Sequence, residues 1–427
     1  MKSNYIPVKA LPNEIVDTFF EKVNITSLAT PCHILFVDNF KTNIASYQKV
    51  FEDYNMVSNI FYSCKANKAN AFIYHAVAER CGIEVSSIYE LRDALKYTKR
   101  IICSGPAKSL EYINLSIDNG AIISVDDVYE LQQIIKLRKE ANILIRISNI
   151  QNCKSRFGIC IEFLKQCITW IKNSKVNLLG FSFHINNYSI NDRIEAIKQL
   201  VQIVKLENIT IKYIDIGGGF PVNYCRAEDY DFFINHNNQD MYFSKKKITD
   251  FYPYSNPLAG AEFFRKIILE VTKVLGNIEI IIEPGRSLLN NSGVSVFGVS
   301  YLKRLVSDNI VIVDGNINFL SEQWFNSDYL IEPMLIKKYK RRHTVPILAS
   351  IAGNLCLEQD MLCWRKILFE DIPENGDKLV YFNTAGYQMD SNESSFHKIP
   401  IPIKYVVTQN SDYVLIEDEM YDNYKNN

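Results

Sequence analysis

The chain has 427 residues, 47% of them hydrophobic and 22% charged, with a net charge of −1. This composition excludes a disordered chain and provides enough apolar residues for two domains. The near-neutral charge leaves no electrostatic footprint for nucleic acid, and no apolar run is long enough to suggest a membrane partner.

The ten cysteines form no Cys-x-x-Cys pair and no paired Cys/His spacing. This scatter argues against a metal site and against a disulfide framework, so we expect reduced thiols and no bound metal. The first twenty residues interrupt their apolar stretches with polar residues, so no signal peptide is expected and the predicted location is cytoplasmic.

From about residue 59 onward, short β-branched segments alternate with amphipathic helical segments. The predicted strands are Ile60–Ala66, Ile83–Ser87, Arg100–Ser104, Ala121–Val125, Ile143–Ser148, Leu178–Ile185, Tyr213–Gly217 and Ile278–Glu283. Predicted helices separate them, and Asp127 and Asp192 are expected to be N-caps. Eight such repeats are typical of a (β/α)₈ TIM-like barrel, although an open parallel sheet has the same periodicity.

Two features depart from this alternation. The segment Val222–Gly260 is longer than an ordinary strand-to-helix loop, which indicates a functional or interface element. After Arg286 the helical pattern stops and strand-like segments replace it. We therefore assign residues 40–290 to the barrel and residues 1–39 with 291–427 to a β-rich domain, which the predicted strand Cys32–Asp38 joins. The tail from Tyr421 is expected to be loose.

Lys65 lies where the predicted first strand meets the start of a helix. A lysine in that position is costly unless its amine takes part in chemistry, and Schiff-base formation with a carbonyl cofactor is the commonest such use. A solvated lysine at the end of a strand is the alternative.

The triplet Gly217, Gly218 and Gly219 follows the predicted seventh strand. Glycines allow backbone N–H groups to approach an anion such as phosphate, and a tight turn at a barrel corner explains the triplet equally well.

Three side chains near predicted strand ends are candidates for cofactor chemistry. Glu283 ends an apolar strand and needs a positive or protonated partner, for which a pyridinium nitrogen would serve. Arg286 could pair with Glu283 or reach a phosphate. His184 is either a core histidine or a group that stacks on a cofactor ring or moves protons.

In this order the segments resemble the fold-type III pyridoxal-phosphate decarboxylases, which have an alanine racemase-like fold. The family includes diaminopimelate, ornithine, arginine and carboxynorspermidine decarboxylases, with siderophore-precursor decarboxylases as further relatives. The resemblance rests on Tyr62–Asn67, Phe183–Ile185, Gly217–Phe220, Glu283–Arg286, Gly353–Asp360 and Ala385–Tyr387.

The resemblance implies that pyridoxal 5′-phosphate (PLP) is the cofactor. Lys65 would carry it as an internal aldimine, His184 would stack on its ring, and Glu283 would pair with its pyridine nitrogen. The residues implied to hold the phosphate are Gly217, Gly218, Gly219, Gly285, Arg286 and Tyr387, with Ser189 as a further candidate.

The resemblance also implies an obligate homodimer with shared active sites, completed by the β-rich domain. Cys356 matches a cysteine that crosses the dimer interface and is linked to reprotonation of the decarboxylated carbon.

The segments that select the substrate depart from the family pattern. Leu357 intervenes between the motif cysteine and Glu358, and Asn186–Ser189 replaces the usual Gly-Ser after the histidine. The segment Asn316–Pro333 carries Glu322, Asp328 and Glu332 without a clear match. Glu358 and Asp328 are the candidate substrate-binding residues.

We therefore predict a PLP-dependent decarboxylase that removes the α-carboxylate of an amino acid or an amino-acid conjugate. Its substrate is diaminopimelate-like, ornithine-like, or a precursor of a siderophore or natural product. The alternatives are an amino-acid racemase of the same barrel, which uses an arginine where Glu283 stands, a non-catalytic regulatory relative, and a phosphate-binding barrel without PLP.

Overall fold

The computed structural model describes residues 5–148, 150, 155–320, 328–339, 345–409 and 413–426. The strands of this part of the chain are β1 (Cys32–Leu35), β2 (Phe61–Ser63), β3 (Gly82–Val85), β4 (Ile101–Cys103), β5 (Ile122–Val125), β6 (Ala141–Arg146), β7 (Val176–Ser182), β8 (Tyr213–Asp215), β9 (Glu279–Ile281), β10 (Gly293–Arg304), β11 (Asn309–Val313), β12 (Met334–Ile336), β13 (Ile347–Ala352), β14 (Met361–Phe369), β15 (Lys378–Tyr381), β16 (Ile403–Gln409) and β17 (Tyr413–Glu417).

The α-helices of the same ranges are α1 (Glu14–Lys22), α2 (Val37–Asp53), α3 (Asn70–Ala78), α4 (Ile88–Ala94), α5 (Leu110–Asp118), α6 (Val128–Lys136), α7 (Leu164–Lys172), α8 (Ile190–Leu206), α9 (Ala227–His236), α10 (Gly260–Leu275) and α11 (Tyr421–Asn426). None of them is both long and apolar enough to cross a membrane.

Strands β2 to β9 form a parallel sheet in sequence order, which confirms the predicted strands of the barrel. The Phe61 N–H donates to the Ile282 carbonyl (2.9 Å), and the Ile282 N–H donates to the Asn59 carbonyl (3.0 Å). These bonds join the last strand to the first, so the sheet is a barrel and not the open sheet that has the same periodicity.

The barrel interior is apolar at one level and polar at another. Phe61, Ile102, Leu144 and Ile281 form one buried apolar cluster. Because β2, β4 and β6 are not neighbours in the sheet, these side chains can only meet inside the closed barrel. The alternating residues, such as Tyr62, face the helices and belong to the larger core.

A second sheet combines both ends of the chain. Within the described ranges it has nine strands, and β1 pairs antiparallel with β10 and parallel with β16. The strand predicted over Cys32–Asp38 is therefore confirmed as β1, although it is shorter because α2 begins at Val37. Helix α2 was not predicted. Its Phe51 packs on Phe264 of α10, which covers the barrel next to the seam between β9 and β2.

The helix-capping predictions had mixed outcomes. Asp127 is the N-cap of α6 and accepts a hydrogen bond from the Tyr129 N–H, as predicted. The prediction for Asp192 was wrong, because Ser189 caps α8 and accepts from the Asp192 N–H at 3.1 Å. Asp192 lies in the first turn, where a negative charge suits the helix dipole.

The insertion Val222–Gly260 packs between the barrel and the second sheet. It contains α9, and its buried Tyr224, Tyr252 and Tyr254 share a core with residues of the second sheet such as Phe297. The tail, which was expected to be loose, forms α11, and the Tyr421 hydroxyl lies 2.8 Å from Nε2 of His75.

Candidate active site

Polar side chains form a layer at the carboxyl ends of the barrel strands, where (β/α)₈ enzymes carry their active sites. Ser63 and Ser124 stand two residues beyond the inward-facing Phe61 and Ile122, and Glu84 and Ser182 stand two residues beyond Gly82 and Gly180, so the strand alternation points them into the barrel. The Ser63 hydroxyl on β2 donates to the Glu84 carboxylate on β3. The hydroxyls of Ser124 on β5 and Ser182 on β7 lie 3.0 Å apart across the barrel.

Lys65 projects into this layer from a single 3₁₀ turn that follows β2. Its Nζ atom lies 2.9 Å from Oε2 of Glu84, and its side chain keeps 45% of its surface accessible at the barrel mouth. Burial is the largest single influence and favours the neutral amine, but the charge of Glu84, its hydrogen bond to the amine, and Coulombic contributions from Tyr387 and Glu283 together outweigh it. The pKa of Lys65 is therefore raised above its usual value, and the amine is held as an ammonium.

Glu84 is the partner that sequence reasoning missed. It is fully buried, and its other oxygen accepts a hydrogen bond from the Ser86 hydroxyl at 3.1 Å. Burial alone would raise its pKa, but the Lys65 ammonium and the Ser63 hydroxyl lower the pKa below its usual value. A charged residue inside the apolar run Gly82–Val85 was the available signal, since buried charges require partners.

His184 lies against the glycine triplet. Its Nδ1 accepts a hydrogen bond from the Gly218 N–H at 3.3 Å, and a Cβ added to Gly217 would lie 2.7 Å from the same nitrogen. Gly217 has a φ of 65°, so both its backbone and its neighbour require glycine. Burial, with the positive charges of Lys65 and Arg146, lowers the pKa of His184 to about 3. The imidazole is therefore neutral, and its proton lies on Nε2.

Glu283 faces Asp215 of β8. The Glu283 N–H donates to the Gly217 carbonyl at 2.9 Å, and the Asp215 carboxylate accepts from the Gly217 N–H at 2.8 Å. Burial and then the Asp215 charge raise the pKa of Glu283 well above its usual value. Burial likewise raises the pKa of Asp215 to about 7. The two carboxyl groups therefore share a proton. Asp215 is a second residue that sequence reasoning missed, although it directly precedes the glycine motif.

Gly285 and Tyr387 lie beside the Lys65 turn. A Cβ on Gly285 would lie 2.8 Å from Cβ of Ala66 and 3.2 Å from the Tyr387 hydroxyl. Tyr387 has a φ of 79°, which L residues rarely adopt, and its N–H donates to the Ala66 carbonyl at 2.8 Å. Strained backbone of this kind is concentrated at ligand sites.

Arg286 lies among three tyrosines. Its Nη1 donates to the Tyr224 hydroxyl at 3.2 Å. Its guanidinium carbon lies 4.0 Å from the ring centre of Tyr252 and 5.0 Å from that of Tyr387. A planar, permanently charged group is thus held next to Gly285 and the Lys65 turn.

Residues 37–290 match the family model described as pyridoxal-dependent decarboxylase, pyridoxal binding domain. This match covers more than half of the chain. The chain belongs to the pyridoxal-dependent decarboxylases. The resemblance, the barrel with its separate β sheet, and PLP as the cofactor are therefore confirmed.

Relatives extend the similarity over nearly the whole decarboxylase chain. An uncharacterized protein, y4yA, of Sinorhizobium fredii is 30% identical and covers 90% of this chain and 89% of its own length. The diaminopimelate decarboxylase of Aquifex aeolicus is 25% identical, with 95% and 94% covered. The crystal structure of diaminopimelate decarboxylase from M. jannaschii in co-complex with L-lysine has a TM-score of 0.75 at 21% identity, with 98% and 96% covered, which shows a shared fold.

The decarboxylase residues fit PLP. Lys65 offers an amine for the aldehyde, and the proton shared by Glu283 and Asp215 suits a basic ring nitrogen. At Gly217 and Gly285 the space that a Cβ would need is taken by His184 and by Ala66 with Tyr387, so these positions require glycine and bring the backbone close to the residues of the site.

Cys356 and Glu358 are both in the loop that follows β13, and both side chains are exposed. The Lys65 amine is paired with Glu84 and with neither of these residues.

The structure argues against substrate binding by Asp328. Its carboxylate is buried against the second sheet and accepts from the Arg365 N–H at 2.8 Å. Burial raises the pKa of Asp328 to about 7. Glu332 pairs with the Arg365 guanidinium at 3.1 Å. Glu322 lies outside the described residues. The Ser189 hydroxyl is engaged as the α8 cap, which competes with its predicted role as a phosphate ligand.

Proposed function

We propose that this chain removes the α-carboxylate from an amino acid or an amino-acid conjugate, with Lys65 as the residue that binds the PLP aldehyde. The observation that supports the proposal is the ion pair of the Lys65 amine with Glu84 at the end of the barrel where His184 and Glu283 contact the glycine triplet.

Each of these residues has a distinct task. Glu84 holds the Lys65 amine in place and keeps its proton available. Neutral His184 presents a flat, uncharged ring beside the glycine triplet. Glu283 offers a proton to a ring nitrogen, and a carboxyl in that position favours decarboxylation, whereas racemases of this barrel use an arginine. PLP, when bound, supplies the electron sink for the pair of electrons left behind when CO₂ departs.

The phosphate is assigned to the Gly219 end of the glycine triplet, to Arg286 and to Tyr387. The Gly217 and Gly218 N–H groups already donate to Asp215 and His184, whereas the Gly219 N–H and the Arg286 guanidinium are donors of the kind that a phosphate requires. Gly285 lies beside them, where a Cβ would be only 2.8 Å from Cβ of Ala66, so that position requires glycine.

We also propose a homodimer in which Cys356 of one copy reaches the site of the other. This arrangement would explain why the motif cysteine is carried on an exposed loop. In that position the thiol would return a proton to the carbon that has lost CO₂.

The proposed substrate class rests on the departures in the specificity segments. Leu357 separates Cys356 from Glu358, and Asp328 is turned into the core, so we expect the distal substrate group to meet a different set of residues than in the diaminopimelate enzymes. A siderophore or natural-product precursor is therefore proposed alongside diaminopimelate-like and ornithine-like substrates.

Borohydride reduction of the PLP-loaded protein, followed by peptide mapping, tests the lysine assignment. The expected label is on Lys65, and Lys65→Ala should lose it. Lys68→Ala is the matched control, since Lys68 is three residues away, is 55% exposed and pairs with Glu393 at 2.8 Å. A label on any other lysine would overturn the assignment.

Release of CO₂ from a panel of diamino acids and their citryl conjugates tests the reaction. Inversion of stereochemistry without CO₂ would replace the proposal with a racemase. Silence across the panel by PLP-loaded protein would support the regulatory alternative.

A further inference from the structure

The insertion Val222–Gly260 contributes aromatic side chains to the neighbourhood of Arg286. The Tyr224 hydroxyl accepts from Nη1 at 3.2 Å, and the Tyr252 ring lies 4.0 Å from the guanidinium carbon. Both tyrosines are buried, with relative exposures of 1% and 2%. Their positions are therefore determined by packing and not by solvent.

A second contact orients the Tyr252 ring. Its hydroxyl lies 2.8 Å from the Tyr188 hydroxyl, and Tyr188 belongs to the segment that replaces the usual Gly-Ser after the histidine. The ring planes of Tyr188 and Tyr252 are 82° apart, in an edge contact. The insertion, which departs from the strand–helix alternation, and this segment, which departs from the family pattern, thus meet at Tyr252.

A ring face supports a guanidinium without neutralising it. The ring quadrupole attracts the positive charge of Arg286, so the guanidinium is favoured in the position over the Tyr252 ring where it is found. The buried rings also restrict the rotamers of Arg286 before a ligand arrives. The entropy cost of ordering this side chain on binding is therefore smaller.

We propose that Tyr252 and Tyr224 are positioning residues that hold the Arg286 guanidinium toward the cofactor phosphate. The insertion is then a part of the phosphate site, and Tyr188 orients Tyr252 within it. This inference rests on the proposed function, because it takes Arg286 as a phosphate ligand.

Comparison of PLP with pyridoxal, which lacks the phosphate, separates positioning from simple packing. Dissociation constants for both compounds are measured with apoprotein by fluorescence quenching. For Tyr252→Leu we expect PLP affinity to fall about 10-fold, with less than about a 2-fold change for pyridoxal, because a buried cation–π contact is worth about 1 to 2 kcal/mol. For Tyr252→Phe, which keeps the ring, most of the PLP affinity should remain.

Two further variants protect the test against misfolding. Tyr224→Phe removes one hydroxyl and should lower PLP affinity about 3-fold without affecting pyridoxal. Tyr254→Phe is the matched control, since Tyr254 lies in the same cluster but its hydroxyl accepts from the Leu330 N–H at 3.1 Å. That control should alter stability and leave the ratio of the two affinities unchanged.

Three results would overturn the inference. One is an equal loss of PLP and pyridoxal affinity in Tyr252→Leu and Tyr224→Phe, and another is no loss in either. The third is an undiminished effect of Tyr252→Leu in an Arg286→Met background, where we expect the effect on the ratio to vanish. Failure of the unmodified protein to prefer PLP over pyridoxal would instead contradict the proposed function.

Discussion

The Nζ atom of Lys65, in the turn that follows β2, lies 2.9 Å from Oε2 of Glu84 on the neighbouring strand β3. The carboxylate is fully buried and is held by serine hydroxyls, so the lysine has a fixed anchor at the centre of the candidate site. The amine is therefore oriented and protonated before any ligand arrives.

Replacement of Glu84 by Gln should make the Lys65 amine more reactive toward an aldehyde at neutral pH. The Glu84 charge raises the pKa of Lys65, so its removal lowers that pKa and increases the neutral fraction. Each unit of pKa lost gives about a 10-fold larger neutral fraction below the pKa. The measurement is the rate at which the bond between PLP and lysine forms, followed by absorbance from pH 6 to 10. Glu393→Gln, next to Lys68, is the control and should behave like the unmodified protein. Identical pH profiles for Glu84→Gln and the unmodified protein would count against the role of Glu84.

His184 should remain uncharged throughout the pH range in which enzymes are usually assayed. Its pKa is lowered to about 3 in the folded protein, whereas in the unfolded chain the pKa is near the ordinary value. The contribution of this histidine to the free energy of unfolding is therefore full above the unfolded pKa and is lost as pH falls below it. Between pH 7 and pH 5 we expect this group to cost about 2 kcal/mol. Unfolding of apoprotein in urea at both pH values measures the loss, and His184→Gln should show a smaller one. Equal losses in the two proteins would be inconsistent with the buried neutral imidazole.

Asp215→Asn should reduce the loss of apoprotein stability that occurs as pH rises. The pKa values of Asp215 and Glu283 are both raised in the folded state, so their contribution is full below the unfolded values and is lost as pH rises through about 7. The Asn variant has one carboxyl fewer, and its Glu283 ionises more easily. Between pH 5 and pH 8 its stability should therefore fall by roughly 1 to 4 kcal/mol less than that of the unmodified protein, measured by urea unfolding. A parallel decline would show that the two carboxyl groups do not share a proton.

Mixing two inactive variants tests whether the active sites are shared. If Cys356 serves the site of the other copy, Lys65→Ala and Cys356→Ala each lack an essential group in both sites. An equal mixture that exchanges subunits should regain about a quarter of the normal CO₂ release, because about half the dimers are mixed and each contains one intact site. Recovery should depend on prior exchange in dilute denaturant. No recovery after exchange, with mixed dimers detected by mass, would rule out shared sites.

The thiol of Cys356 should also be the first to react with iodoacetamide. Among the described cysteines it is the exposed one, and burial raises the pKa of others such as Cys32, Cys81 and Cys363. Peptide mapping after brief alkylation identifies the site, and the label should decline when protein concentration is raised enough to form the dimer. Preferential labelling of a buried cysteine would contradict the exposed position of the loop.

Local patterns were sufficient to predict the strands of the barrel and the chemistry of several side chains. The alternation of β-branched and amphipathic segments can be recognised from residues that are close in the sequence, and so can the glycine triplet. For the same reason Asp127 could be recognised as a helix cap. Asp192 was assigned wrongly because Ser189, three residues earlier, offered the better cap.

Contacts between distant segments were decided only by the tertiary structure. Period-two alternation shows that Glu84 and Asp215 lie on one face of their strands, but only closure of the sheet turns that face inward and brings them to Lys65 and Glu283. The same long-range packing turned Asp328 into the core, joined β1 to β10, and brought Tyr252 from the insertion to Arg286. The sequence by itself determined which residues could do this chemistry, since residue type and local spacing are properties of the chain. Their partners required the fold, because burial and distance between remote residues arise only when the barrel closes.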